Sequence, residues 1–216
     1  MAELSDNSTG TNSSVSSLPI GEGVTIDIGT GDGLFVYQSA RLNPRKFYIG
    51  VDANPRPLEK VSEKIHRKPA KGGLTNVLFV QAAVEELPSE LDGVADEVHV
   101  HFPWGALLRA VALGEPAVLR SLRRICASGA LLEVVMGLEP ERDRALIERL
   151  GLPPISLEYI DLELVPKYLE AGFEILERGV LPASEWGQLQ TSWAKRLRGG
   201  GSRRPVFYII GRAAGD

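Results

Sequence analysis

The chain has 216 residues, enough to bury one sizeable core, and its 44% apolar and 24% charged residues are the proportions of an ordinary globular protein. No apolar run nears the ~20 residues that span a bilayer, and no basic segment followed by an apolar one opens the chain, so neither a membrane protein nor a signal peptide is expected. A net charge of −4 excludes a general nucleic-acid coat but not a local basic face, and the single cysteine, Cys126, excludes an internal disulfide and fits a reducing cytoplasm.

Residues 1–21 are rich in Ser, Thr, Asn and Gly without apolar period, and read as a disordered tail before a single domain at residues 22–216. Strand and helix patterns then alternate. Strands are expected at residues 24–28, 47–51, 77–80, 98–101, 130–136, from 173 to 176, and at 206–211. Helices are expected at residues 34–42, 57–67, 107–125 with a break near Gly114 and Pro116, 142–150, 164–171 and 185–197. Alternating elements with apolar strands predict an α/β fold, a mostly parallel sheet with helices on both faces. The last strand follows a helix and a loop and is placed to insert antiparallel.

The first strand runs into Asp27-Ile28-Gly29-Thr30-Gly31-Asp32-Gly33, a glycine loop opening a helix. Ligands of open α/β sheets bind at such strand ends, where glycine lets the backbone approach closely. The spacing G-x-G-x-G departs from the G-x-G-x-x-G of dinucleotide folds. Asp27 and Asp32 would repel a pyrophosphate but suit an ammonium group, which S-adenosylmethionine (SAM) carries together with a cationic sulfonium. Asp52, about twenty residues on and followed by Ala53, is placed to take ribose hydroxyls. Gln81-Ala82-Ala83-Val84-Glu85 ends the third strand with small residues that admit an adenine ring.

The fourth strand leads into Phe102-Pro103-Trp104-Gly105, a bend holding an indole at the same sheet edge. Trp193, in Thr191-Ser192-Trp193-Ala194-Lys195-Arg196, is the second candidate. Two indoles over one site would sandwich a flipped base, each stack contributing about 1–3 kcal/mol. The residues alone leave open that either indole is core; Trp186 has no such setting and reads as structural. His99 and His101 share a strand face, but no third ligand stands at a sensible spacing, and no metal is expected. Basic residues cluster at Lys64, Arg67, Lys68 and Lys71, and again at Lys195, Arg196, Arg198, Arg203 and Arg204, which suits a polyanion.

The stretches at residues 26–33 (IDIGTGDG), 68–88 (KPAKGGLTNVLFVQAAVEELP), 102–108 (FPWGALL) and 191–197 (TSWAKRL) resemble the aminoglycoside-resistance 16S rRNA methyltransferases that modify N1 of adenine 1408, the Kam/Npm type. The resemblance runs along nearly all of the chain after the tail. It implies a class I SAM-dependent methyltransferase fold with a seven-stranded sheet and an antiparallel last strand. It implies SAM at Asp27, Gly29, Thr30, Gly31, Asp32, Asp52, Ala53, Ala83, Val84, Glu85, Phe102, Pro103, Trp104, Thr191 and Ser192. It also implies that Trp104 and Trp193 stack on the adenine while Ser192 positions it. Lys64, Arg67, Lys68 and Lys71, with Arg196, Arg198, Arg203 and Arg204, would grip phosphates of the 30S subunit near helix 44; a bulky ribosomal substrate needs an uncovered face, so a monomer is expected. The tail, without Lys or Arg, departs from the family's more regular N-terminal extension, and residues 153–161 show no match. A tRNA guanine-N7 methyltransferase shares the glycine loop but does not account for FPWG and TSWAKRL together. A non-catalytic SAM-dependent rRNA-binding factor and a small-molecule methyltransferase are the remaining alternatives.

Overall fold

The structure, a computed structural model, describes residues 22–181 and 205–215. The expected tail, and the expected helix at residues 185–197 that carries Trp186 and Trp193, lie outside these residues. Seven strands form one sheet: β1 (Val24–Ile28), β2 (Phe47–Asp52), β3 (Val77–Gln81), β4 (Ala95–His101), β5 (Cys126–Gly137), β6 (Phe173–Leu181) and β7 (Val206–Ala213). Their order is β3-β2-β1-β4-β5-β7-β6. The first five are parallel, and β7 pairs antiparallel with both β5 and β6.

Alternation along each strand sorts the side chains into two layers. Ile26, Ile49, Val98, Val100, Leu132, Val134 and Ile209 point into the larger core. Helices α3 (Gly105–Leu113), α4 (Pro116–Ile125) and α5 (Arg144–Leu150) contribute Leu108, Val111, Leu119, Leu122 and Leu146 to that core. On the other face, α1 (Leu34–Leu42) and α2 (Glu59–Ile65) pack Val36, Tyr37, Ala40, Val61 and Ile65 against Tyr48 and Val77. The break at residues 114–116 separates α3 from α4: Gly114 turns left-handed at φ 64° and Pro116 starts the next helix.

Several elements exceed the expected bounds. Strand β5 begins at Cys126, β4 at Ala95 and β6 continues to Leu181. Polar and glycine residues there gave no apolar alternation, and ladder pairing with neighbours extends them. The helix expected from residue 164 is preceded by a short α6 (Leu157–Tyr159) and a π turn at Ile160–Leu164, which lead into α7 (Val165–Glu170). Ser156 caps α6, its hydroxyl accepting from the Tyr159 amide at 3.1 Å. Proline-rich residues before it and Pro166 within the run masked the period.

Candidate active site

The strands β1, β2, β3 and β4 end at one edge of the sheet, and a cavity of about 660 Å³ opens there, the size of a small-molecule site. Every described residue expected at the cofactor lines it. The lining also includes Phe35, Asn54, Pro57, His101, Ala106 and Leu107, which sequence reasoning did not place there. His101 carries a sequence signal in hindsight, since it immediately precedes Phe102. Phe35 carries none, because its place depends on how α1 lies over β4.

The glycine loop is held by the neighbouring strand. Gly29 and Thr30 donate their amides to the Val51 carbonyl at 2.8 and 3.0 Å. Gly29, Gly31 and Gly33 are all left-handed, at φ 74°, 61° and 66°. A Cβ on Gly29 would meet Leu107 at 2.6 Å, whereas one on Gly31 would meet nothing within 4 Å. Gly31 thus presents bare backbone to open space. Its amide donates to Asp52 Oδ2 at 2.8 Å, while Asp52 Oδ1 accepts from the Asn54 amide at 2.8 Å. Both oxygens of Asp52 are fixed, and each retains a lone pair for a ligand hydroxyl.

The turn after β3 is anchored from the other layer. Ser121 of α4 donates its hydroxyl to the Val84 carbonyl, and the Glu86 amide donates to the Ala83 carbonyl at 3.0 Å. The turn after β4 is more strained. Phe102 stands at φ 48°, where a side chain crowds its own carbonyl. Its ring is buried with Val135 and Val206, and its amide donates to the Val135 carbonyl at 2.8 Å. Gly105, at φ 57°, completes the bend, and Trp104 between them stays 49% exposed. Trp104 is therefore not a core residue; it stands at the cavity while Phe102 takes the buried place. Trp193, Ser192 and Thr191 lie outside the described residues.

Asp27, on β1, lies on the α1 side of the sheet between Gly50 of β2 and His99 of β4. Burial pushes its carboxyl up to about 6, against the pull of the nearby His101. His101 Nε2 pairs with Glu133 Oε1 at 2.9 Å, and this hydrogen bond holds the Glu133 carboxyl below its usual range. The His99 ring stacks on His101 at 4.7 Å, and Phe35 packs on both. Burial, followed by the charge of His101, pushes His99 down to about 4. Among the described residues, no group of three or more His, Cys, Asp or Glu is arranged to hold a metal ion.

The basic segment is set apart from the cavity. Arg67, Lys68 and Lys71 are exposed and Lys64 is half-buried, its Nζ 4.2 Å from the Tyr37 ring centroid. The segment follows α2 and precedes β3, so it stands at the edge where the parallel strands begin, opposite the cavity. Arg196, Arg198, Arg203 and Arg204 lie outside the described residues.

The donor set of the cavity decides which cofactor fits. Asp27, Asp32, Asp52 and Glu85 line it, and no Lys or Arg does among the described residues. Such a lining repels a pyrophosphate and accommodates a ligand with an ammonium and a sulfonium. With the sheet order and the glycine loop, it defines the protein class: a SAM-dependent methyltransferase of the class I fold.

The comparisons carry this to the family. The NpmA family of 16S rRNA (adenine(1408)-N(1))-methyltransferases matches residues 16–211, and the chain belongs to it. The chain is 39% identical over 189 residues to the 16S rRNA (adenine(1408)-N(1))-methyltransferase of Streptoalloteichus tenebrarius, covering 87% of this chain and 86% of that one. The solved structure of the 16S rRNA methyltransferase KamB is 36% identical, with a TM-score of 0.84 over 95% of this chain and 94% of its own. A mutant of the Catenulisporales acidiphilia 16S rRNA (adenine(1408)-N(1))-methyltransferase, solved with cosubstrate SAM, is 33% identical, with a TM-score of 0.83 over 93% and 89% of the two chains. A tRNA (guanine-N(7)-)-methyltransferase of Geobacillus kaustophilus aligns over only 82 residues, 37% of this chain and 36% of that one. That partial match spans too little of the chain to carry the tRNA alternative.

Proposed function

We propose that this chain transfers a methyl group from SAM to N1 of adenine 1408 in the helix 44 region of the 30S subunit and so confers aminoglycoside resistance. The observation that carries this reading is the placement of Trp104. In a chain of this family, an indole stands half exposed at the SAM cavity on a bend that burial of Phe102 keeps in place.

SAM supplies an electrophilic methyl group. Asp52 takes the ribose hydroxyls, with Ala53 beside it. Asp27 and Asp32 supply negative charge for the ammonium, and Gly29, Thr30 and Gly31 bring the backbone close. Ala83, Val84 and Glu85 border the adenine, and Phe102 and Pro103 close the cavity beneath Trp104. Thr191 and Ser192 join them through the family resemblance. N1 of adenine bears a lone pair and no proton at neutral pH, so the chain needs no general base. Its work is to hold the base in line with the methyl group. Trp104 and Trp193 stack on the flipped purine, and their faces favour the positive charge that develops on the ring.

Lys64, Arg67, Lys68 and Lys71, with Arg196, Arg198, Arg203 and Arg204, position rRNA phosphates without reading sequence. A ribosomal particle needs an uncovered face, which supports action as a monomer, and a 16S rRNA substrate supports a cytoplasmic location. Among the described residues, no helix is long and apolar enough to cross a membrane.

Trp104→Ala tests the reading. The variant is expected to keep SAM affinity within about twofold and to lose transfer to 30S subunits by about 10-fold or more, the equivalent of one lost base stack. Transfer at the parent rate would remove Trp104 from the substrate site.

A further inference from the structure

Helix α1 leaves the glycine loop at Gly33 and runs toward the basic connection between α2 and β3. Tyr37 stands on this helix, buried, and serves both ends. Its amide donates to the Gly33 carbonyl at 2.9 Å, and its hydroxyl donates to the Gly72 carbonyl at 3.0 Å. Lys64 Nζ lies 4.2 Å from the centre of its ring, and Arg41 Cζ lies at 5.9 Å. Nothing in the function as proposed uses this residue.

We propose that Tyr37 is a positioning residue for rRNA docking: its hydroxyl on the Gly72 carbonyl and its ring against Lys64 fix where the basic turn stands on the body of the enzyme. The inference rests on the phosphate contacts of the proposed function and names the residue that places them.

The ring belongs to the smaller core with Ala40, Val61 and Ile65, a place that phenylalanine would fill as well. The hydroxyl serves the turn. The turn packs directly on it: a Cβ on Gly72, at φ 88°, would meet the Tyr37 hydroxyl at 2.8 Å and Lys64 Cε at 3.1 Å. The stem of the connection is closed by other bonds. The Leu74 amide donates to the Ile65 carbonyl at 2.9 Å, and Asn76 Nδ2 donates to the Ala40 carbonyl at 3.1 Å and the Lys46 carbonyl at 2.9 Å. Tyr37 ties the tip to α1, and Arg67, Lys68 and Lys71 are exposed around that tip. Without the hydroxyl they keep their charge but sample more positions, and ordering them on phosphates costs more entropy.

The test is 30S affinity by filter binding, with methyl-transfer kinetics, for the parent and Tyr37→Phe, each also carrying Arg67→Gln, Lys68→Gln and Lys71→Gln together. Tyr37→Phe alone is expected to bind 30S subunits about three- to tenfold more weakly, the size of one lost hydrogen bond, and to raise KM for them by the same factor. Its kcat and its SAM affinity are expected within about twofold of the parent. In the neutralised turn the same substitution is expected to weaken binding by under about twofold, because the charges it places are gone. A merely structural loosening would lower affinity by one factor in both backgrounds. That result, or parent affinity in Tyr37→Phe alone, would overturn the role of Tyr37. Parent affinity in the neutralised turn would mean that the turn is no phosphate contact, and the inference would fall with it. Absence of transfer by the parent would sink the proposed methyl transfer, with the binding series still deciding Tyr37.

Discussion

Asp27 and His99 face each other across β1 and β4, and burial moves both from their ordinary ranges. Their effects on stability have opposite sign. The carboxyl of Asp27 binds its proton more tightly in the folded chain, near 6 against 3.8, so its contribution is present at low pH and lost as pH rises through about 6. His99 binds its proton more weakly when folded, near 4 against 6.5, so its contribution is present above 6.5 and lost as pH falls toward 4. Between about pH 4 and 6 the two slopes oppose each other. Asp27→Asn is therefore expected to stabilise the SAM-free protein at pH 7.5, by up to about 3 kcal/mol for a shift of roughly two units. The same variant should lose stability more steeply than the parent as pH falls from 6.5 to 4.5, with SAM affinity reduced throughout. Urea midpoints at three pH values check this. A parent-like midpoint at pH 7.5 would mean that the buried carboxylate carries no cost.

The α2–β3 connection holds the described basic residues proposed to grip rRNA. The Lys71 amide donates to the Lys68 carbonyl at 2.7 Å and the Gly73 amide to the same oxygen at 3.2 Å. The Tyr37 hydroxyl donates to the Gly72 carbonyl at 3.0 Å, and Gly72 is left-handed at φ 88°. A Cβ on Gly73 would lie 1.6 Å from the Arg67 carbonyl oxygen, so only glycine fits there. The turn is tied at both ends and holds Arg67, Lys68 and Lys71 in solvent. Lys71→Glu is expected to weaken 30S binding and to flatten its salt dependence by about one to two in log–log slope, with SAM affinity unchanged. Filter binding across a salt series measures it, and a parallel, unshifted series would take Lys71 out of the contact.

Much of this was legible in the residues. The glycine loop, Asp52 and the Ala83–Glu85 turn were readable because strand ends and glycines mark a sheet edge whatever the tertiary details. The π turn before α7 was not, because Pro166 and the polar residues around it hide the period. Nor was the place of His101: a histidine pair on a strand reads the same whether it lines a cavity or fills a core, and only α1 with Phe35 and β5 with Glu133 decide.

Across the whole molecule, the SAM cavity and the described basic turn occupy opposite edges of the sheet. A ligand touching both must be larger than a hairpin tip, which fits a folded ribosomal particle read by shape. Transfer of labelled methyl from SAM to purified 30S subunits, with reverse transcription to locate the modified base, decides whether adenine 1408 is the target. A new stop at adenine 1408 is expected on assembled subunits, with little transfer to naked 16S rRNA or to a short hairpin. Label at another base, or SAM bound with no transfer to 30S subunits, would contradict the proposed function.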